Sequence, residues 1–370
     1  MHIAIIGAGP VGLWTAIQIK KRSPDAQVTL FERYEEYKRH HVVSIQRSSL
    51  FFGASPHHDE HDQRLFHEML GYTRNQLRSR PMNRLFVPTS AIESSLKKCA
   101  LALGCAIVVR HIASLDDICD LYPDVEQIVI ANGAHSTLRK QLLGEDDVHS
   151  ESLQYVVEMK TYVSEEVADS METGMVARRI ASRLKTMTFE YRGRPKAGRV
   201  GITLRFFVDK EGFDALGEAS FKQPHIGING LPEELAQDVR VYWTMHGLDE
   251  GMLETLSFSK LQLSVYHATR FADSYRGKPC FLVGDAAMGV PYFRALNSGW
   301  VMGSRLAHLI GMGAGSEKTV RRYNAYGKVH QSAEFALAKQ KNGLLNRYAD
   351  LRKLYRRLKV GGKQQREMVL

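Results

Sequence analysis

The sequence predicts an α/β protein: a Rossmann-like nucleotide-binding domain, an inserted mixed β-sheet domain and a helical C-terminal extension. Three observations support this prediction. A strand, a glycine-bearing turn and a helix open the chain, longer strand patterns fill residues 152–264, and a polar helical pattern occupies the end. We therefore expect the nucleotide-binding domain at 1–150 and 265–310, the β-sheet domain at 151–264 and the extension at 311–370.

The nucleotide-binding domain is predicted from short apolar strands that alternate with helical patterns. In its first part we expect helices at 10–21 and 92–103 and strands at 2–6, 27–31, 106–109 and 127–131. In its second part we expect a strand at 279–283 and a long helix from about residue 297. The first strand, helix and second strand together form a βαβ unit, which is the opening of a nucleotide-binding fold.

The inserted domain and the extension have different patterns. Residues 155–163, 200–208 and 239–245 are predicted as strands of the mixed sheet, the part of the protein on the substrate side. Near the end, apolar residues from Leu344 to Leu358 recur every three or four positions, which indicates an amphipathic helix with a basic face. We expect Gly361 and Gly362 to end that helix.

Composition excludes several classes of protein. The 370 residues include only four cysteines without a CxxC pair, so neither a zinc site nor a disulfide scaffold is predicted. The loop at 57–62 is rich in histidine and acids, but six adjacent residues rarely surround one ion, and no metal is expected. With no run of about 18 apolar residues and no leader pattern, we expect a cytoplasmic protein without a membrane span.

The net charge of +10 is concentrated at the C-terminal end. Residues 339–366 contain ten Lys or Arg and one acid, so this stretch alone carries +9. Such a helix could attract an acidic partner, or it could be a solvated face. Exposed aromatics do not interleave with the basic residues, and nucleic acid is therefore not the expected partner.

A dinucleotide-binding motif occupies residues 7–12, with the sequence GAGPVG. The first glycine allows a tight turn, the second lets the backbone approach a pyrophosphate, and the third lets helix and strand pack closely. Glu32 follows 20 residues after Gly12, where its carboxylate can accept the ribose hydroxyls. This motif does not separate NAD from FAD.

A second motif favours FAD. Gly284 and Asp285 follow the strand predicted at 279–283, in a turn that a ribityl chain could approach. The helix expected from about Asn297 would direct its positive N-terminus toward the flavin ring, where it would stabilise the anionic reduced form.

Together the motifs resemble the class A flavoprotein monooxygenases of the p-hydroxybenzoate hydroxylase fold. The resemblance rests on the first glycine motif with Glu32, on residues 131–139 (ANGAHSTLR) and on residues 284–287 (GDAA). The middle stretch is similar to the DGxxSxxR motif of that family, with Asn132 in place of the aspartate. Residues 39–43 and 98–104 are also similar in pattern to the flavin domain of MICAL-type monooxygenases.

The resemblance implies FAD as cofactor and NADPH or NADH as reductant. It implies hydroxylation of an organic substrate, with an aromatic or a protein-borne one as the options, through a flavin C4a-hydroperoxide. The motifs and the resemblance together predict the cofactor-binding residues. These are Gly7, Gly9, Pro10, Val11, Gly12, Glu32, Arg33, Arg39, Asn132, Gly133, Arg139, Gly284, Asp285 and Asn297. The catalytic candidates, in the loop expected beside the flavin, are Tyr292, Phe293 and Arg294.

Departures from the family pattern leave alternatives open. Met288 replaces the usual histidine, and residues 291–297 lack both loop glycines in a span two residues shorter. One alternative is an FAD-dependent oxidoreductase that inserts no oxygen. Another is a non-catalytic flavoprotein that binds a partner through its basic tail. Trp243 and His246, near the end of the strand predicted at 239–245, could line a pocket or belong to the core.

Overall fold

The structure is a computed structural model, and it describes residues 1–35, 42–52, 60–72, 84–171, 183–193, 195–291, 294–313 and 315–367. The chain forms two compact units. Unit 1 contains residues 1–151 and 265–338, and unit 2 contains residues 152–264 and 339–370. A parallel sheet lies in unit 1 and a separate sheet in unit 2, so the predicted α/β class with a helical C-terminus is confirmed.

The described strands, in chain order, are β1 (His2–Ile6), β2 (Gln27–Glu32), β3 (Val42–Gln46), β4 (Arg84–Pro88), β5 (Ala106–Val109), β6 (Gln127–Ile130), β7 (Val148–Ser164), β8 (Met187–Arg192), β9 (Arg199–Val208), β10 (His225–Ile226), β11 (Ser257–Ala268), β12 (Ala272–Tyr275), β13 (Lys278–Leu282) and β14 (Met288–Gly289).

The described α-helices are α1 (Pro10–Arg22), α2 (Arg47–Phe51), α3 (Glu60–Leu70), α4 (Thr89–Ala102), α5 (Leu115–Leu121), α6 (Thr137–Leu143), α7 (Glu165–Ser170), α8 (Lys210–Ala215), α9 (Glu233–Met245), α10 (Ala295–Gly311) and α11 (Ser316–Glu367). Two short 3₁₀ helices lie at Glu250–Thr255 and Gly284–Ala286. None of the helices in the described ranges is both long enough and apolar enough to cross a membrane.

The main sheet of unit 1 has the strand order β12-β13-β6-β1-β2-β5. Strands β13, β6, β1, β2 and β5 run parallel, and β12 pairs antiparallel with β13 at the edge. Every residue of β1 is buried, as expected for the centre of a sheet that is covered on both faces. The carboxyl ends of the parallel strands share one edge, which is where α/β folds bind ligands.

Helices α1 and α10 pack against each other next to this sheet. The rings of Trp14 and Trp300 stack with centroids 4.8 Å apart, and the Trp14 indole donates a hydrogen bond to the Ser304 hydroxyl over 2.9 Å. Both tryptophans are buried, so each indole nitrogen needs an acceptor, and Trp300 uses the carbonyl of Pro10. This packing holds the N-terminal ends of the two helices in place at the ligand-binding edge.

The sheet of unit 2 has the order β10-β11-β7-β9-β8. Its described pairings β10–β11, β7–β9 and β8–β9 are antiparallel, and Val157 of β7 lies opposite Phe206 of β9. Buried side chains of both strands form one core with helix α9, which contributes Tyr242 and Trp243. Buried residues alternate with partly buried ones along most of β9, as expected for the strand that was predicted there.

Two predictions about elements were wrong. Residues 239–245 belong to helix α9 and not to a strand, because Leu235, Val239, Tyr242 and Trp243 are spaced to bury one face of a helix. The β-branched and aromatic residues there gave a misleading strand signal. Helix α11 also continues past Gly361 to Glu367, since glycine costs a helix only about 1 kcal/mol relative to alanine and good helix formers surround it.

Candidate functional site

A cavity of about 660 Å³ lies in unit 1 at the carboxyl ends of the parallel strands. Its size is within the range of pockets that bind organic cofactors. The segments that follow β1, β2, β5, β6 and β13 all contribute to its wall. Of the predicted cofactor-binding residues, those that line it are Gly7, Gly9, Pro10, Val11, Glu32, Arg33, Asn132, Gly133, Gly284 and Asp285.

The first turn, which we define as residues 7–12, is built from closely packed backbone. Gly7 has a φ of +108°, and a methyl group on it would lie 2.6 Å from the carbonyl oxygen of Ala131. A methyl group on Gly12 would lie 2.0 Å from the carbonyl oxygen of Gly7. Gly9 begins α1 without a side-chain cap, so the positive end of the helix faces an open position suited to an anion.

Glu32 occupies the end of β2 on the cavity wall. One carboxylate oxygen accepts the backbone N–H of Ala8 over 2.9 Å, and the other accepts that of Tyr34 over 3.2 Å. These bonds fix the carboxylate beside the first turn, and each oxygen retains a lone pair for another donor. A sugar with two adjacent hydroxyl groups is a ligand that fits this position.

The second turn, which we define as residues 284–289, follows β13. Gly284 has a φ of +60°, and Asp285 lines the cavity. Helix α10 packs closely on this turn, because a methyl group on Gly299 would lie 2.7 Å from the side chain of Val11 and 3.1 Å from the Cα of Gly284. The first residues of α10, Ala295 and Leu296, also line the cavity.

Arg139 does not line the cavity but supports the second turn from behind. Its guanidinium forms a buried ion pair with Asp147 over 2.5 Å and donates to the carbonyl oxygens of Ala286 and Ala134 over 3.1 Å each. Gly133 and Asn132, from the same motif, do line the cavity. The motif at 131–139 therefore provides both a part of the wall and an anchor for the second turn.

The remaining predicted residues lie elsewhere or outside the described ranges. Asn297 is buried, and its amide bonds the carbonyl of Ser44, the N–H of Gln46 and the hydroxyl of Ser49 over 2.7 Å each. Arg294 pairs with Glu334 through two contacts of 2.5 and 2.6 Å. Gly12, the last residue of the first turn, packs against the carbonyl of Gly7 and does not line the cavity. The other three, Arg39, Tyr292 and Phe293, lie outside the described residues.

Sequence reasoning missed the part of the wall contributed by β5 and α4. The end of β5, the residues after it and a buried to half-buried face of α4 line the cavity: Val109, Arg110, His111, Ile112, Ala113, Thr89, Glu93 and Lys97. Burial raises the pKa of Glu93, Glu32 raises it further, and Lys97 opposes the shift. The signal that could have found these residues is the pairing of β5 beside β2, which places its end on the same edge.

The cysteines and the acids of the described residues do not form another reactive centre. All four cysteines are buried and unbonded to one another, and burial raises the pKa of Cys105 to about 11 and of Cys280 to about 12. Groups of three or more His, Cys, Asp or Glu that could hold a metal are absent from the described part of the chain. Trp243 is in the core of unit 2 and donates to the carbonyl of Asp249.

Several solved structures are similar to this chain in fold. The OxyS anhydrotetracycline hydroxylase from Streptomyces rimosus matches with a TM-score of 0.58 and 20% identity, over 96% of this chain and 72% of that one. A 2-methyl-3-hydroxypyridine-5-carboxylic acid oxygenase matches with a TM-score of 0.55 and 14% identity, over 95% and 92%. CtdE in complex with FAD matches with a TM-score of 0.56 and 12% identity, over 96% and 99%.

Comparisons by sequence found nothing further. No protein-family model matches the chain, and no curated protein matches it. The structural matches nevertheless extend over nearly the whole chain. The chain therefore has the fold of the class A FAD-dependent monooxygenases, and the predicted resemblance is confirmed at the level of fold.

Proposed function

We propose that this protein binds FAD in the cavity of unit 1 and is an NAD(P)H-dependent monooxygenase of an organic substrate. The single observation that carries the proposal is the cavity itself. It brings the glycine turn, the fixed carboxylate of Glu32 and the turn at Asp285 onto one wall, although they lie far apart in sequence. A dinucleotide with a sugar at one end and a polyol-linked ring at the other matches this series of groups.

Each part of FAD has residues that fit it. The pyrophosphate would meet the N-terminus of α1 at Gly9 and Pro10, where a negative charge is stabilised by the helix dipole. The adenosine ribose would bind Glu32, with the adenine beside the end of β5. The ribityl chain would reach Asp285 in the second turn.

The proposed reaction is oxygen insertion. Bound FAD would carry electrons from NADPH or NADH to molecular oxygen, and one oxygen atom would enter the substrate while the other leaves as water. The protein would orient the substrate and exclude water from the flavin ring. Support comes from the hydroxylase and oxygenase among the similar structures, which act on anhydrotetracycline and on a hydroxypyridine carboxylic acid. We infer an aromatic or protein-borne organic substrate.

An FAD-dependent oxidoreductase without oxygen insertion is the second candidate. The observation that favours it is Met288, which stands where the family pattern has a histidine and is buried in the short strand β14. Met288 pairs with His267 of β11, so the second turn is held to the sheet at that point. A thioether supplies no proton, so any proton transfer at this position would need another group.

An anaerobic titration tests the proposal. Purified protein would be loaded with FAD, reduced with NADPH or NADH under exclusion of oxygen, and then exposed to air while its absorbance is recorded. We expect flavin bands that bleach with the nicotinamide and return with oxygen. Failure to bind FAD contradicts the proposal, and binding without bleaching favours a flavoprotein with another reductant or none.

Oxygen consumption separates the two enzyme candidates. Substrate candidates with an aromatic ring would be added to the reduced protein, and the hydroxylated product and hydrogen peroxide would be measured together. A monooxygenase forms product in proportion to the oxygen consumed. An oxidoreductase that inserts no oxygen releases peroxide in that proportion, whichever substrate is present.

The basic end of α11 supports a separate proposal of partner binding. Ten Lys or Arg against one acid between residues 339 and 366 would attract an acidic protein surface at long range. Removal of residues 340–370 would abolish such binding and leave the FAD content unchanged. Binding that survives this truncation, or that does not weaken as salt is raised, contradicts the proposal.

A further inference from the structure

The side chain of Tyr266, near the end of β11, spans the second turn from one end to the other. Its hydroxyl donates a hydrogen bond to the carbonyl oxygen of Asp285 over 2.9 Å. Its ring lies against Gly289, because a methyl group on that glycine would be 2.0 Å from the ring carbon Cε1. One aromatic side chain thus contacts both Asp285, which lines the cavity, and the last residue of the turn.

Backbone pairing holds the same turn from the side of β11. Tyr266 lies opposite Gly289 in the β11–β14 register, and the N–H of Ala268 donates to the carbonyl of Ala287 over 2.7 Å. The N–H of Ala287 in turn donates to the carbonyl of Gly284 over 2.9 Å, which closes the turn. Since Gly289 has no side chain, the ring of Tyr266 can pack directly on the backbone.

These contacts determine the direction of the peptide groups around Asp285. Tyr266 binds the carbonyl of Asp285, and Arg139 binds the carbonyl of Ala286. In a trans peptide the carbonyl and the following N–H point in opposite directions, so each held carbonyl also fixes the N–H after it. Burial raises the pKa of the Tyr266 hydroxyl, which therefore remains a donor across the working pH range.

We propose that Tyr266 is a positioning residue that sets Asp285 for contact with the ribityl end of the bound flavin. The proposal rests on the proposed FAD binding. An aromatic ring and its hydroxyl thereby fix the shape of the turn from outside it. Tyr266 itself need not touch the cofactor.

Tyr323 offers a matched control. Its hydroxyl donates to the carbonyl of Leu282 over 2.8 Å, and its ring is completely buried in unit 1. The bond has the same chemistry as that of Tyr266, and it ends on the strand just before the turn. Removing this hydroxyl should lower the stability of the protein without changing the direction of the Asp285 peptide.

The experiment compares Tyr266→Phe with Tyr323→Phe in the full chain. We expect Tyr266→Phe to raise the Kd for FAD about fivefold to tenfold and to shift the flavin midpoint potential, since one positioning hydrogen bond is lost. Tyr323→Phe should lower Tm but leave the Kd for FAD within twofold. Its flavin midpoint potential should equal that of the unaltered protein within experimental error. Hydrogen exchange without FAD should accelerate at residues 285–289 in Tyr266→Phe alone.

The results distinguish a failure of FAD binding from a failure of the positioning role of Tyr266. If the unaltered protein binds no FAD, the proposed function fails and the role of Tyr266 falls with it. If it binds FAD and both variants keep its Kd and potential, FAD binding stands and the positioning role of Tyr266 is contradicted. Equal losses in both variants also contradict it, because they would mean that general destabilisation explains the effect.

Discussion

The two turns that line the cavity reach a fixed shape by different means. The first turn is shaped within six residues, where Gly7 and Gly12 let the backbone pack on itself and on Ala131. The second turn is shaped from a distance, by Tyr266 of β11 and Arg139 of α6. A ligand site on one wall can therefore combine a local motif with a turn whose support is spread over the chain.

This difference explains why one turn is a stronger sequence signal than the other. In the first turn, the glycines that allow the close packing all belong to the motif, so their spacing identifies it. In the second turn, a glycine and an aspartate remain visible, and the residues that hold them are recognised only in three dimensions. Substitutions in the two turns should accordingly affect stability and cofactor affinity in different proportions.

The largest effect is expected from Arg139→Met in the support of the second turn. It would leave Asp147 buried without its partner, and we expect the free energy of unfolding to fall by about 3–5 kcal/mol. Urea unfolding measures the loss. The double variant Arg139→Met, Asp147→Leu should recover most of it, because no unpaired charge then remains. A single variant that loses less than about 1 kcal/mol would contradict this role.

Substitutions of two glycines in the first turn should affect different properties, one the stability of the protein and the other its affinity for FAD. Gly12→Ala would place a methyl group against the backbone of Gly7, and we expect a loss of about 1–3 kcal/mol or no folded protein. Gly9→Ala has open space and a φ of −70°, so its stability should be nearly unchanged. Its Kd for FAD should rise at least tenfold, because the methyl group meets the pyrophosphate. The same loss of stability in both variants would show that the turn is not packed as described.

Glu32→Gln tests the ribose contact of the first turn. The amide oxygen can still accept the N–H of Ala8 but the bond from the exposed N–H of Tyr34 is lost, so the free energy of unfolding should fall by about 1 kcal/mol. The Kd for FAD should rise about tenfold, since a hydrogen bond to a charged acceptor is lost. Glu35→Gln on the same wall is the control and should stay within twofold. An unchanged Kd for FAD in Glu32→Gln would show that Glu32 does not contact the bound ribose.

The smallest expected effect is a pH dependence of protein stability that arises at α10, the helix that packs on the second turn. His330 bonds Ser298 of α10, and burial lowers its pKa below the usual 6.5, with Arg294 also lowering it and Glu334 opposing. The unfolded chain therefore binds a proton more readily, and stability should be full above pH 6.5 and decrease as the pH falls below it. His330→Gln should flatten the dependence of Tm between pH 7 and 5. Ser298→Ala, which keeps the titrating ring, should retain it.

Local patterns predicted much of unit 1 and less of the site. The strand at 106–109 was predicted from its apolar residues, although none of them is fully buried. The helix predicted at 10–21, with Pro10 at its start, ends one residue later at Arg22. Helix α9 was missed because Val239 and Trp243 have strand propensity, and packing against the sheet of unit 2 overrode it. The wall after β5 and the role of Tyr266 depend on strand order and long-range contact, which spacing in one sequence does not contain. The parts of FAD assigned to individual residues stay predictions.

The buried cysteines have a chemical consequence for the oxygen chemistry that we propose. Oxidation of cysteine begins with the thiolate, and burial keeps Cys105 and Cys280 protonated with pKa values of about 11 and about 12. Cys99 and Cys119 are buried as well. Peroxide that escapes from an incomplete turnover of the proposed reaction would find no ready thiolate at Cys105 or Cys280 to convert to sulfenic acid. These two side chains should therefore resist oxidation by the by-products of that reaction.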